Sequence, residues 1–303
     1  MKILFNRRPV FGPWGGGAKV LASIIEECEN RNYQVFFDTD IKSVKDIDIL
    51  FCMDPRQNEF LSFNDLINYK QKFGSKIVQR VGDLGTHGKP ELLFLVKQAS
   101  NYSDVVIFPS FWAKNYANIK KESLVIQNAP NEKFYQLPIN EKYYGDLKCV
   151  SHHWSNNFMK GFEIYKNLDD ALIENDSFTF IGRKPDDVSF KNYIEPLNLE
   201  QLLIELPKYN VYVTASKFEA GANHVLEAMA LGLPILYHED GGSINEYCAE
   251  RGICYKNSND LFDILKNRKK EIENLKKVPR YSRTLKDVTK EYLNLFEEIG
   301  RMR

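Results

Sequence analysis

Glu219 and Glu227 flank a small-residue turn in Ser216-Lys217-Phe218-Glu219-Ala220-Gly221-Ala222-Asn223-His224-Val225-Leu226-Glu227-Ala228-Met229-Ala230-Leu231-Gly232-Leu233-Pro234. A strand over Asn210–Ala215 leads in, and a helix over Asn223–Leu231 stops at Gly232 and Pro234. The backbone N–H groups of Gly221, Ala222 and Asn223 are expected to be unpaired donors at that helix start, able to face a sugar hydroxyl or a phosphate. Glu227 sits in the first turns, and its two oxygens suit both hydroxyls of a ribose. Glu219, before the turn, suits a hexose hydroxyl. Glutamate is common enough for chance to supply such a pair. The specificity lies in the surrounding S-x-F-E-x-G and L-E-A-M-A-x-G-x-P.

A second chemical signal lies after the first strand, in Phe11-Gly12-Pro13-Trp14-Gly15-Gly16-Gly17. Glycines there let backbone amides approach an anion, and the following helix adds its partial positive charge. A dinucleotide site is one reading, because Asp38 closes the second strand where a ribose-binding acid belongs. The spacing G-x-x-G-G-G and the late start of the loop oppose it. Asp38-Thr39-Asp40 and Asp46-Ile47-Asp48 match a D-x-D pattern for Mg²⁺ or Mn²⁺, but carboxylates flanking strands are ordinary surface. Adjacent His152 and His153 on a strand point to opposite faces and make a poor metal pair.

The elements that must position these groups alternate. Strands are expected over Lys2–Asn6, Gln34–Phe37, Ile47–Cys52, Lys76–Val81, Val105–Pro109 and Leu124–Gln127, with helices over Ala18–Asn30, Glu59–Lys72, Pro90–Ser100 and Phe111–Ile119. Pro130–Asp146 has no clean period and reads as a link between domains. The alternation restarts with strands Leu147–Ser151, Phe178–Gly182 and Pro234–Tyr237, helices Lys160–Ile173 and Glu200–Leu206, and a capping box at Ser243-x-x-Glu246. Two α/β domains with mostly parallel sheets follow, with a cleft between them as the usual ligand position.

Composition narrows the function class. A chain of 303 residues with 41 basic and 41 acidic side chains has no net charge, which argues against a nucleic-acid partner. The 12 basic and 7 acidic residues of 261–303 give that tail +5 and leave −5 for the rest. Five scattered cysteines without C-x-x-C suggest neither a disulfide framework nor a zinc site. No apolar run approaches the roughly 18 residues needed to span a bilayer, and the N-terminal stretch is short for a signal peptide. A reducing, cytoplasmic setting is the expectation.

The acidic segment resembles the nucleotide-sugar site of glycosyltransferase family 4, the GT-B group of retaining enzymes. The likeness takes in the glycine loop, Gln79-Arg80-Val81-Gly82-Asp83, Lys160-Gly161 and Gly241-Gly242-Ser243-Ile244-Asn245-Glu246. It implies an α/β GT-B fold, two Rossmann-like domains with parallel sheets facing across a cleft. The first would be 1–145 on the acceptor side, with a helix of about 284–303 packing back on it, and the second, 146–283, would bind the nucleotide sugar. The implied reaction moves a sugar from a UDP- or GDP-linked donor to an acceptor hydroxyl on a glycan, lipid or small molecule. No obligatory metal or cofactor is implied. A GT-B-type sugar-nucleotide epimerase and a non-catalytic sugar-nucleotide or glycan binder are the alternatives.

By the same resemblance Glu227 holds the ribose, and Glu219 with Gly221, Ala222 and Asn223 holds the sugar. Lys160 meets the diphosphate, Gly16 and Gly17 close over it, and His87 in Gly85-Thr86-His87-Gly88 lies near the reacting sugar. Many members carry an Arg shortly before Lys-Gly, whereas this chain has Ser151-His152-His153-Trp154-Ser155-Asn156-Asn157. Ser155, a histidine or Arg183 is left to fill that role. The tail run Tyr281–Gly300, with Leu285, Val288, Tyr292, Leu295 and Phe296, suits the returning helix. Its basic excess reads as a solvated face or as peripheral contact with anionic lipid.

Overall fold

The computed structural model describes every residue except Pro13, Trp14, 139–144 and 301–303, so parts of the glycine loop, the link and the tail lie outside the described residues. The chain forms two compact units. One joins Met1–Phe11, Gly17–Asn128 and the helix Leu285–Gly300; the other joins Gly12–Gly16 and Ala129–Thr284.

The first unit carries a sheet of β1 (Lys2–Phe5), β2 (Gln34–Phe36), β3 (Ile49–Cys52), β4 (Lys76–Arg80), β5 (Val105–Phe108) and β6 (Leu124–Val125), in the order β2-β1-β3-β4-β5-β6. Every pairing is parallel. The central strands are buried on both faces, as their unbroken apolar runs require. In the second unit β7 (Lys148–His153), β8 (Ser177–Gly182), β9 (Asn192–Ile194), β10 (Val211–Thr214), β11 (Ile235–His238) and β12 (Gly252–Tyr255) run β12-β11-β10-β7-β8-β9, again all parallel. The strand order reverses direction at β1/β3 and at β7/β10. In such sheets the crevice beyond the carboxyl ends of the strands at that reversal is where ligands bind.

The division falls between Asn128 and Ala129 and not at 145/146. The stretch read as a link is tied to the second unit by its own side chains. Phe134 is fully buried in that unit's core, and Tyr135 and Leu137 pack against it. Arg280 donates to the carbonyls of Tyr135 (3.3 Å) and Leu137 (2.8 Å), and the Tyr135 hydroxyl donates to the carbonyl of Arg283. Arg280 is thereby committed to the fold, and Arg268 pairs with Glu271, so the basic tail is not a uniform free face. Among the described residues no helix is long and apolar enough to cross a membrane.

Several boundaries differ from the expectation for local reasons. The helix expected from Glu59 begins at Phe63, because Ser62 and Asp65 form a capping box. Lys160 does not open a helix: it ends a 3-10 turn, and Gly161 at φ 80° separates it from the helix Phe162–Ala171. The box expected at Ser243 is not formed, since Gly242 is the N-cap and the Ser243 hydroxyl accepts from the Ala222 amide at 3.2 Å. The edge strands β9 and β12 fall in stretches where no strand was expected.

The helix Leu285–Gly300 completes the first unit. Phe51 of β3 meets Tyr292 and Phe296 edge-on, with ring centroids 5.9 and 5.5 Å away. Glu297 accepts from Arg31 and from the Tyr33 hydroxyl, both at 2.8 Å. Phe296→Ala is expected to destabilise the protein by about 3–5 kcal/mol, the usual cost of emptying a buried aromatic site. Exposed Lys290→Ala should stay within about 0.5 kcal/mol. Urea unfolding of the two variants beside wild type checks both values.

Candidate functional site

In the second unit the loops after β7 and β10 stand side by side beyond the carboxyl ends of two paired strands. Asn157 caps the turn Phe158–Lys160 by accepting from the Met159 amide at 2.9 Å. The Met159 carbonyl then accepts from the Lys217 amide at 2.8 Å, which joins the two loops. A Cβ on Gly161 would come 2.4 Å from both the Cβ and the carbonyl oxygen of Ala215, so the approach needs glycine. Glu219 is fixed from its other side. Its amide donates to the Gly241 carbonyl (3.2 Å), and its carbonyl accepts from the Ser243 amide (2.9 Å). Gly242, at φ 71°, passes so close that a Cβ would lie 2.7 Å from Glu219 backbone atoms. Phe218 adopts φ 52° to make this turn, a left-handed conformation that costs a non-glycine residue energy.

These constraints bring Lys160 and Glu219 together as an ion pair whose side chains are only 9% and 12% exposed. Glu227, on the helix Asn223–Ala230, is 2% exposed and lies 2.8 Å from His152 Nε2 at the end of β7. An ionised carboxylate only accepts, so that nitrogen donates. The Tyr212 hydroxyl stands between two imidazoles, 3.1 Å from His152 Nδ1 and 2.9 Å from His224 Nδ1. It has one proton, so when it donates to one ring the other ring donates to it. His224 Nε2 in turn lies 3.8 Å from Glu219 Oε1. A buried hydrogen-bonded chain therefore runs from Glu227 through His152 and Tyr212 to His224, whose Nε2 makes no hydrogen bond among the described residues and stops short of the Glu219–Lys160 pair. Sequence reasoning missed most of it. Tyr212 looked like one more strand residue and His224 like motif filler; the available signal was three polar rings within otherwise apolar elements.

The other expected site residues fall as follows. The amides of Ala222 and Asn223 are not unpaired. Ala222 donates to Ser243 Oγ and Asn223 to the Gly221 carbonyl, because the Gly242 loop and the tight turn reach them first. Asn223 Oδ1 is buried without a hydrogen-bond partner among the described residues. Gly16 clusters with the second unit, where a Cβ would come 2.4 Å from Asn223 Cγ; Gly17 clusters with the first. His87 lies half-buried in the first unit, in the loop after β4. Each group left to replace the absent Arg has another engagement. Ser155 Oγ accepts from the Asn157 amide (3.2 Å), and His152 meets Glu227. His153 is enclosed by Phe162, Tyr165 and Phe180, and Arg183 stacks 3.7 Å over Trp154. The two acidic pairs are structural where their contacts are seen. Asp40 caps the turn Ile41–Ser43, Asp48 accepts from the Lys2 amide, and Asp38 pairs with Arg8. Among the described residues no group of three or more His, Cys, Asp or Glu side chains could hold a metal ion.

Burial pushes His224 down to about 4, against the pull of nearby Glu219, and pushes His153 well below its ordinary value, helped by the charge of Lys160. Both rings are neutral in the folded protein at pH 7, whereas in the unfolded chain they take up protons near pH 6.5. The unfolded state thus binds more protons below that value. Stability is full above about pH 6.5 and falls as pH drops toward 4, each ring contributing up to about 1.4 kcal/mol per pH unit. Urea midpoints at pH 7 and 5 should fall less for His224→Gln than for wild type.

No family model matches this sequence, and no curated protein does. Solved structures do match over nearly the whole chain. The sucrose-phosphate synthase of Thermosynechococcus elongatus aligns over 100% of both chains at 13% identity with a TM-score of 0.68. Anabaena HepE, solved with UDP and glucose, aligns over 98% of this chain and 100% of its own at 13% identity and a TM-score of 0.70. The catalytic domain of Arabidopsis thaliana starch synthase IV, bound to ADP and acarbose, aligns over 99% of both at 12% identity and 0.64. At such identities the likeness is one of architecture, and with two parallel six-stranded sheets clothed in helices the chain has the α/β GT-B fold.

Proposed function

We propose that this chain is a glycosyltransferase of the retaining, family 4 type, which moves a sugar from a UDP- or GDP-linked donor to an acceptor hydroxyl. The observation that carries the reading is the largely enclosed Lys160–Glu219 ion pair beyond the β7/β10 reversal, with buried Glu227 held by His152 at the end of β7. Neighbours of the same fold solved with UDP and glucose, or with ADP and acarbose, support a nucleotide-sugar donor. In this reading Glu227 receives the ribose hydroxyls, while His152 holds its carboxylate in place. Glu219 and the turn Gly221 to Asn223 receive the sugar, the Asn223 side chain taking the part first given to its amide. The roles that the resemblance gives to Gly16, Gly17 and His87 belong to the same proposal.

In the same reading Lys160 Nζ meets the diphosphate. As the bond from the anomeric carbon to the phosphate oxygen breaks, negative charge grows on that oxygen, and a preorganised cation stabilises it. The acceptor hydroxyl attacks from the face the diphosphate leaves, and its proton passes to the departing oxygen, which retains the anomeric configuration. No metal ion and no covalent sugar–enzyme intermediate is invoked.

A screen of UDP- and GDP-sugars without acceptor tests the reading. Slow release of nucleoside diphosphate is expected. A changed sugar on an intact nucleotide would instead indicate an epimerase, and binding with neither outcome a sugar-nucleotide binder. Glu227→Gln should weaken UDP or GDP binding roughly ten- to a hundredfold, since charge-assisted hydrogen bonds contribute about 1.5–3 kcal/mol. Unchanged affinity in a variant of wild-type melting temperature removes Glu227 from the site. Lys160→Ala should lower kcat more than it raises KM, because the cation acts where charge develops. A kcat within about twofold of wild type would assign that role elsewhere.

A further inference from the structure

The helices Phe63–Phe73 and Glu91–Ser100 border a surface groove of about 390 Å³, which lies wholly within the first unit. That volume is in the range of small-molecule sites. None of its eleven lining residues is charged. At the chain's 27% charged content eleven residues would carry about three, and an exposed set more. In their place stand four exposed amides, Gln57, Asn64, Gln98 and Asn101. Their side chains make no hydrogen bond among the described residues. The Ser62 hydroxyl, by contrast, is engaged with Asp65 in the capping box.

Apolar surface lies among the amides. Ala99 is buried, and Ile67 and the Phe63 ring are half-buried. Tyr102 is 51% exposed, and neither ring packs on another among the described residues. Gln98, Asn101 and Tyr102 follow at three- and four-residue spacing, so they share a face, and Phe63 and Asn64 stand in the same relation to Ile67.

This mixture selects a ligand class. An amide holds an acceptor oxygen and an NH₂ donor side by side, which two neighbouring hydroxyls of a sugar ring complement. The C–H face of the same ring is apolar and packs on an aromatic side chain. An acyl chain would strip water from the amides and leave them unpaired. A phosphate, a carboxylate or an amine would meet no opposite charge.

We propose that this groove binds a neutral oligosaccharide, one sugar ring lying on Phe63 or Tyr102 with its hydroxyls on the amides. Saccharide binding here is separate from the transferase reading. No residue given a role at the donor sugar, the ribose, the diphosphate or the reacting centre lines the groove.

Saturation-transfer NMR on the full chain tests this. The probes are neutral trisaccharides of glucose, galactose, mannose and N-acetylglucosamine, with a galacturonic acid trimer as the charged counterpart. At least one neutral probe should show transfer with a millimolar Kd, and the charged trimer should show none. Gln98→Ala should weaken binding about three- to tenfold, the contribution of one hydrogen bond. Tyr102→Ala should weaken it at least as much. Both side chains are exposed, so both variants should melt as wild type does, and Asn64→Ala, on the opposite helix, replaces either that does not. No transfer to any neutral probe, equal or stronger transfer to the charged trimer, or an affinity unchanged in either variant would each overturn the site. Groove-dependent transfer stands even if no donor is turned over, and donor turnover without such transfer removes this site alone.

Discussion

Lys160 and Glu219 meet only because two glycines let three loops pass backbone against backbone. Gly161 lies against Ala215, and Gly242 against Glu219 itself. With a side chain at either position the loops after β7, β10 and β11 would stand apart by the width of a methyl group or more. A buried ion pair tolerates little such slack, because its attraction must offset the loss of water around both charges. The left-handed Phe218 is the local cost of the same close approach. The geometry of the charged groups is therefore set by the residues that have no side chain.

Around that pair the second unit distributes its polar groups by burial. His153, one residue along β7 from His152, faces an aromatic enclosure and is held neutral. His152 faces the opposite way and meets Glu227. One strand thus presents two identical side chains to two environments, and the alternation of the pleat decides which becomes polar machinery and which becomes core. Tyr212, on the neighbouring strand, reaches the same polar side and links the His152 ring to that of His224.

Much of the fold was legible because parallel strands buried on both faces read as unbroken apolar runs, as in Ile49–Cys52 and Val105–Phe108. The short edge strand Asn192–Ile194 is half exposed and carries no such run, so it was not. The division between units was misplaced because Phe134 sits in a stretch without periodicity; its burial comes from distant partners that local pattern does not reveal. In the site, Glu219, Glu227 and Lys160 were legible from their motifs. The pairing of the Ala222 amide with Ser243 was not, since it depends on a loop some twenty residues away reaching the turn first. Arg80 was visible as part of the Gln79-Arg80-Val81-Gly82-Asp83 likeness, with no role attached. That its charge lacks a counter-ion among the described residues is a property of three-dimensional neighbours.

The first unit is discontinuous: its helix Leu285–Gly300 lies beyond the whole of Ala129–Thr284. During synthesis the second unit can therefore close its sheet while the first, although begun earlier, still exposes the face of β3 on which Tyr292 and Phe296 will settle. The order of emergence from the ribosome and the order of completion are opposite for the two units. Until the last helix arrives, Phe51 and its neighbours form an open apolar surface, the kind of surface on which nascent chains aggregate or chaperones bind.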